Sequence, residues 1–184
     1  GYMANLGVID GLLTRGDAVI QDKWNHASLL DGGRLTDADQ LRYPHADMGL
    51  LHKRLHNAAT AKHRLIVSDG VFSMDGDIAS LPEIMALSEQ HHAAVLIDDA
   101  HGFGTLGKTG AGAGEEQGVQ DDIDVYFATF AKSLASTGAF IAGDKEIIDY
   151  LKYNLRSQMY AKSLQMQLVE GALKRLDMLR TMPE

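Results

Sequence analysis

Two kinds of hydrophobic spacing alternate along the chain, and that alternation restricts the fold more than any other feature. Leu65-Ile66-Val67 and Ala93–Ile97 are short, unbroken apolar runs that read as strands buried on both faces. Between and around them the period changes. Met48, Leu51, Leu55 and Ala58 recur at helical spacing. Ser80-Leu81-Pro82-Glu83 is a helix start, with Ser80 as cap, Pro82 in the first turn and Glu83 completing a capping box. Strands that alternate with helices build a mostly parallel sheet covered on both sides.

The remaining elements fit the same plan. Residues 18–22 read as a short strand after a turn at Arg15-Gly16-Asp17, Asp124–Phe130 as another, and Ala139–Ala142 as one more. A helix begins near Lys145, with Ile148, Leu151 and Leu155 on one face, and Leu173–Leu179 reads as a helix without a clear cap. No repeat or linker divides the chain. The expectation is an α/β fold of three layers, a mostly parallel sheet flanked by helices, with residues 1–184 forming one domain. Gly1-Tyr2-Met3-Ala4-Asn5 runs straight into helix-like sequence, so both ends read as cut from a longer protein.

Composition removes several function classes. With 184 residues, 45% of them hydrophobic, the chain can bury one sizeable core. A net charge of −8 argues against a nucleic-acid partner, which calls for a basic face. No apolar run is long enough to span a bilayer and no signal peptide opens the chain, so a cytoplasmic location is expected. The absence of cysteine excludes disulfides and thiolate metal sites.

In sheets of this kind ligands gather outside the carboxyl ends of the strands. Ser73, Asp98, His101, Thr129 and Lys132 all fall where strands end. Singly, each has an ordinary reading: Asp98 as a turn residue, His101 as a loop histidine, Lys132 as a solvated amine. Together, an acid and an amine at neighbouring strand ends are what pyridoxal phosphate (PLP) requires. The acid keeps the pyridine nitrogen protonated and the amine forms the Schiff base.

Two other motifs compete with that reading. Gly102-Phe103-Gly104-Thr105-Leu106-Gly107 matches GxGxxG, and with Lys108-Thr109 it matches the P-loop pattern of nucleotide hydrolases. Both motifs need a helix at the last glycine, whereas the chain continues Gly110-Ala111-Gly112-Ala113-Gly114, a poor helix former. Asp98 and Asp99 would also set two negative charges beside the phosphates. Eight histidines invite a metal, but His91 and His92 adjoin and cannot share a helix face, and His101 has no second histidine at ligand spacing; no metal site is expected. Asp98 and Asp99 are poor paired glycosidase carboxylates, because adjacent strand residues point to opposite faces.

Five stretches, in order, then carry a resemblance: Gly1-Tyr2-Met3-Ala4-Asn5, Asn25-His26-Ala27-Ser28, Asp69–Asp77, Asp98-Asp99-Ala100-His101-Gly102 and Thr129-Phe130-Ala131-Lys132-Ser133. The chain resembles the middle of an α-oxoamine synthase, a subgroup of the fold-type I PLP enzymes related to aminotransferases, and corresponds to their large PLP-binding domain. The resemblance implies Lys132 as the Schiff-base lysine, Asp98 against the pyridine nitrogen and His26 stacked on the ring. His101 and Ser73 would lie near the phenolic oxygen. Thr129 and the backbone amides of Gly1 and Tyr2 would hold the phosphate. Ala131 departs from the Ser or Gly common in the lysine motif, and Gln165 stands where many relatives have proline.

The implied reaction condenses an amino acid with an acyl-CoA thioester, usually with loss of carbon dioxide, in a homodimer. Thr129–Ser136 and Asn154–Gln158 look most like bacterial serine palmitoyltransferases. Glycine C-acetyltransferase (2-amino-3-ketobutyrate CoA ligase) and 8-amino-7-oxononanoate synthase stay open, as does a piece that keeps the fold without turnover. The carboxylate-binding arginine and the acyl-chain pocket expected in the small domain are not in this chain.

Overall fold

The computed structural model describes residues 1–182. Its centre is a six-stranded sheet: β1 (Ala18–Asp22), β2 (Asp39–Tyr43), β3 (Arg64–Asp69), β4 (Ala94–Asp98), β5 (Val125–Thr129) and β6 (Ala139–Gly143). The spatial order is β2-β1-β3-β4-β5-β6. The first five strands are parallel, and β6 runs antiparallel against β5.

The apolar runs divide cleanly between the two faces, because successive strand side chains point to opposite sides. Ile20, Ile66, Val95 and Ile97 enter one core with Leu51 and Leu55 of α3 (Met48–Asn57) and Leu81 and Ile84 of α4 (Leu81–His91). Val19, Leu65, Val67 and Leu96 enter the other. There they meet Val8 and Ile9 of α1 (Tyr2–Leu12), Leu29 of α2 (Ala27–Leu35) and Leu151 of α6 (Lys145–Asn154). Each of these fully buried aliphatic side chains contributes about 1.5–3 kcal/mol. The α1–α2 contact is close: a Cβ on Gly32 would lie 2.9 Å from Ile9 Cδ1. This is the three-layer α/β architecture that the hydrophobic spacing implies.

The sequence reading differs from the structure in a few local elements. The edge strand β2 reads Asp-Gln-Leu-Arg-Tyr, and only Tyr43 in it is buried, so it carries no apolar run. Helix α2 contains Gly32-Gly33, which hide its helical period. Ser80 does sit at the N-cap of α4, but its hydroxyl donates to the Glu83 carboxylate at 2.8 Å instead of capping a backbone N–H. Ile147, more than Ile148, accompanies Leu151 and Leu155 against the core. The glycine-rich stretch holds one short helix, α5 (Ala113–Glu116). The chain closes with α7 (Arg156–Met159) and α8 (Met166–Thr181).

Candidate active site

At the carboxyl edge of the sheet, the ends of β3, β4 and β5 and the starts of α1 and α2 surround a cavity of about 210 Å³. All eight side chains or backbone segments singled out from the sequence line it. Lys132 and Thr129 come from the end of β5 and the turn after it, Asp98 and His101 from the end of β4 and its loop. Ser73 enters from the β3–α4 connection, His26 from the cap of α2, and Gly1 and Tyr2 from the start of α1.

Asp98 is the last residue of β4 and is 3% exposed. Its Oδ1 accepts the Ala100 N–H at 3.0 Å, and its Oδ2 accepts from Asn5 Nδ2 at 2.6 Å. Burial raises its pKa from the ordinary carboxylate value, against these hydrogen bonds and the nearby charge of Lys132. A buried carboxylate aimed into a cavity in this state is a fitting partner for a cationic ring nitrogen. The Lys132 ammonium, itself partly exposed, is pushed down by the burial it does have, with Asp98 and Asp69 opposing. His101 is lowered by burial and by the positive charge of Lys132 and His26.

The mouth of α1 suits an anion. Gly1 caps the helix without a side-chain hydrogen bond, no acidic residue occupies the first turn, and Gly1 and Tyr2 line the cavity. A Cβ on Gly1 would lie 3.2 Å from Phe127 Cζ and 3.5 Å from Thr129 Oγ1, so the bare glycine keeps this cradle open. The Thr129 hydroxyl donates to the Gly138 carbonyl at 3.0 Å and accepts from the Ala131 N–H at 3.2 Å, which fixes the turn leading to Lys132.

Three groups that the sequence reading left without a role complete the site. Asn5 links α1 to Asp98 and, through its Nδ2, to Ser28 Oγ at 3.0 Å. Asp69 ends β3 in register with Asp98, so the two carboxylates share one face. Its Oδ2 accepts the His26 N–H at 2.6 Å, and burial together with Asp98 raises its pKa to about 8. Asn25 donates to the Val67 carbonyl at 2.7 Å and accepts the Asp69 N–H at 3.2 Å, sewing the approach to His26 onto β3. Asn5, Asn25, Ser28 and Asp69 all sit inside the stretches that carry the resemblance. Only the pairing of strand ends, which needs the register, reveals what they touch.

The competing motif does different work. Of its glycines, Gly102 packs against Asp99, which points to the opposite face from Asp98, while Gly104 and Gly107 pack against Ser133 and Glu115. A Cβ on Gly112 would fall 1.8 Å from Asp99 Oδ2, and one on Gly102 2.2 Å from Oδ1. The loop amides that a phosphate would need are already bonded to carboxylates. Glu115 accepts from the N–H groups of Thr109 and Ala111, and Glu116 from that of Gly107. No helix starts at Lys108. This loop is not a nucleotide cradle. Among the described residues there is also no group of three His, Cys, Asp or Glu placed to hold a metal, and no helix is long and apolar enough to cross a membrane.

Known proteins resemble the chain in sequence and in fold. The profile of the family described as aminotransferase class I and II matches residues 1–183. A cysteate-C-fatty acyltransferase of Capnocytophaga ochracea is 52% identical across the whole chain, which covers 45% of that protein. A serine palmitoyltransferase of Sphingobacterium spiritivorum is 42% identical across the whole chain and 46% covered. The solved serine palmitoyltransferase of Sphingomonas wittichii superposes with a TM-score of 0.93 at 39% identity, over 97% of this chain and 45% of that one. A further solved serine palmitoyltransferase, with PLP present, gives a TM-score of 0.94 at 37% identity, over 98% of this chain and 45% of that one. The chain thus spans less than half the length of the relatives it matches. From the match over residues 1–183, the chain belongs to the aminotransferase class I and II family, and its relatives there are PLP-dependent acyltransferases of the α-oxoamine synthase type.

Proposed function

We propose that this chain is the PLP-binding half of an acyltransferase that joins the Cα of an amino acid to the acyl carbon of an acyl-CoA thioester. The observation that carries the reading is the convergence of Lys132, Asp98, His26, His101, Ser73 and the mouth of α1 on one cavity. Lys132 Nζ would hold the cofactor and would take the Cα proton of the amino acid; burial lowers its pKa, which suits it to that task. When bound, PLP supplies an electron sink for the negative charge left on Cα. Asp98, held by Asn5 and the Ala100 N–H, keeps a positive ring nitrogen in place. The His26 ring covers the cavity from the cap of α2 and can donate to a substrate carboxylate or to the thioester oxygen. Ser73 and His101 would hold the phenolic side of the cofactor, and the α1 amides with Thr129 would hold its phosphate. Attack at the thioester forms the carbon–carbon bond and releases CoA, and loss of the carboxylate as carbon dioxide yields an α-amino ketone.

Serine with a long acyl-CoA is the substrate pair this reading favours, in a homodimeric parent protein. The name of the relative at 52% identity supports cysteate as the competing amino acid, with the same fatty acyl class. The test uses the full-length protein. Wild type should show the visible absorbance of lysine-bound PLP, and Lys132→Ala should abolish it; a retained band sinks the assignment. CoA release measured with serine, cysteate and glycine against short and long acyl-CoA then chooses the substrate.

A further inference from the structure

Beside the cavity, one imidazole ties together three separate connections. His45 follows β2, and its side chain is 12% exposed. Its Nδ1 lies 3.2 Å from Asp22 Oδ2 at the end of β1, and its Nε2 lies 3.2 Å from Asp77 Oδ2 in the β3–α4 connection. The ring stacks on Trp24 at 4.1 Å and 10°, and the edge of Phe72 meets it at 4.4 Å and 79°.

The inner half of this bridge is rigid. Asp22 is 1% exposed, and its two oxygens also accept the N–H groups of Trp24 at 2.8 Å and Ala46 at 2.9 Å. Ala46 is held at φ +54°, a left-handed conformation that costs a residue with a Cβ about 1–2 kcal/mol. The turn that presents His45 is therefore over-determined by its surroundings. The outer half reaches a small closed loop. Phe72 N–H donates to the Asp77 carbonyl at 2.8 Å, Gly76 N–H donates to the Phe72 carbonyl at 2.9 Å, and Val71 bridges Ile78. Residues 73–78 are exposed, and His45 holds the base of this loop through Asp77 and Phe72.

Both segments in contact with His45 lead directly to cavity groups. Phe72 precedes Ser73, and Trp24 lies two residues before His26. We propose that His45 is a positioning residue, a clasp that seats the 71–78 loop against the β1–α2 turn and thereby sets Ser73 and His26 at the mouth of the cavity. The clasp stands on geometry alone; its consequence for the cofactor rests on the function proposed above.

The experiment uses full-length protein, with hydrogen exchange read by mass spectrometry and PLP affinity read by titration. His45→Phe keeps an aromatic ring against Trp24 and Phe72 but loses both ring nitrogens. Asp77→Ala removes the outer partner, a 55% exposed side chain outside the core, and Asp77→Asn keeps an oxygen acceptor. His45→Phe and Asp77→Ala should each speed exchange in residues 71–78 about tenfold, with β4 and β5 unchanged. A loop whose seated fraction falls from about nine tenths in wild type to about a tenth exchanges about tenfold faster and should weaken PLP binding about tenfold as well, and Asp77→Asn should stay near wild type. Unchanged exchange at 71–78 in both disruptive variants overturns the clasp. Faster exchange with unaltered PLP affinity overturns its positioning role. If wild type fails to bind PLP, the proposed function falls, while the exchange data still decide the clasp.

Discussion

Asp98 and Asp99 are neighbours in sequence and both are buried, yet they occupy opposite kinds of environment. Asp98 looks into an open cavity, with Lys132 across from it and Asp69 beside it. Asp99 looks into packed backbone. Its Oδ2 accepts from Tyr126 at 2.9 Å and from the Ala113 N–H at 2.8 Å, and Gly70, Gly102 and Gly112 leave no room for another group. Burial raises the pKa of both. The direction of the shift therefore does not separate the carboxylate proposed to serve the cofactor from the structural one; what each carboxylate faces does.

The sharpest way to break the comparison is at Gly112. Its φ of +111° and the 1.8 Å approach to Asp99 Oδ2 leave no place for a methyl group. Gly112→Ala should destabilise the fold by about 3–5 kcal/mol, which at this chain length is roughly 2–4 °C of Tm per kcal/mol. Thermal denaturation that leaves Tm within a degree or so of wild type would show that the cage around Asp99 is loose. The paired substitutions Asp98→Asn and Asp99→Ala come next. Asp99→Ala strands the Ala113 N–H, while the Tyr126 hydroxyl keeps the Ala111 carbonyl at 2.9 Å; the change should cost about 1–3 kcal/mol, with PLP binding kept. Asp98→Asn should leave Tm unchanged or raised and lower turnover roughly a hundredfold, because a neutral amide no longer holds a positive ring nitrogen. Equal effects of the two on turnover would erase the distinction.

How far these two environments could be read from the sequence follows from which residues are local. Strand runs such as Leu65-Ile66-Val67 announce themselves through apolar side chains, and from the runs come the sheet and its functional edge. Strand β2 does not, because an edge strand needs only one buried side, and Asp39, Gln40 and Arg42 hide it. Asp98 and Lys132 are legible as a pair, since each lies at the end of an apolar run. Asp69 beside Asp98, and His45 between Asp22 and Asp77, depend on strand register and loop closure over 23 to 32 residues, which no local pattern encodes. The glycine loop shows the reverse: a pattern that matches a phosphate motif residue for residue takes its meaning from Glu115 and Glu116, which hold its Thr109 and Gly107 amides.

The smallest expected effect tests the cavity side of the comparison through Asp69. Its folded-state pKa, raised to about 8 by burial and by Asp98, lies above the ordinary 3.8. Below the lower value the carboxyl is protonated whether the chain is folded or not. As pH rises from there, the unfolded chain releases this proton while the folded chain retains it, so folding stability falls until pH passes the folded value. Asp69→Asn stays neutral throughout and keeps an oxygen to accept the His26 N–H. In the PLP-free protein the variant should match wild type near pH 4 and exceed it by roughly 1–3 kcal/mol above pH 8, read as a Tm difference that opens with pH. Parallel Tm curves across that range would mean that Asp69 ionises freely in the fold, and that the cavity does not force two carboxylates to share one desolvated face.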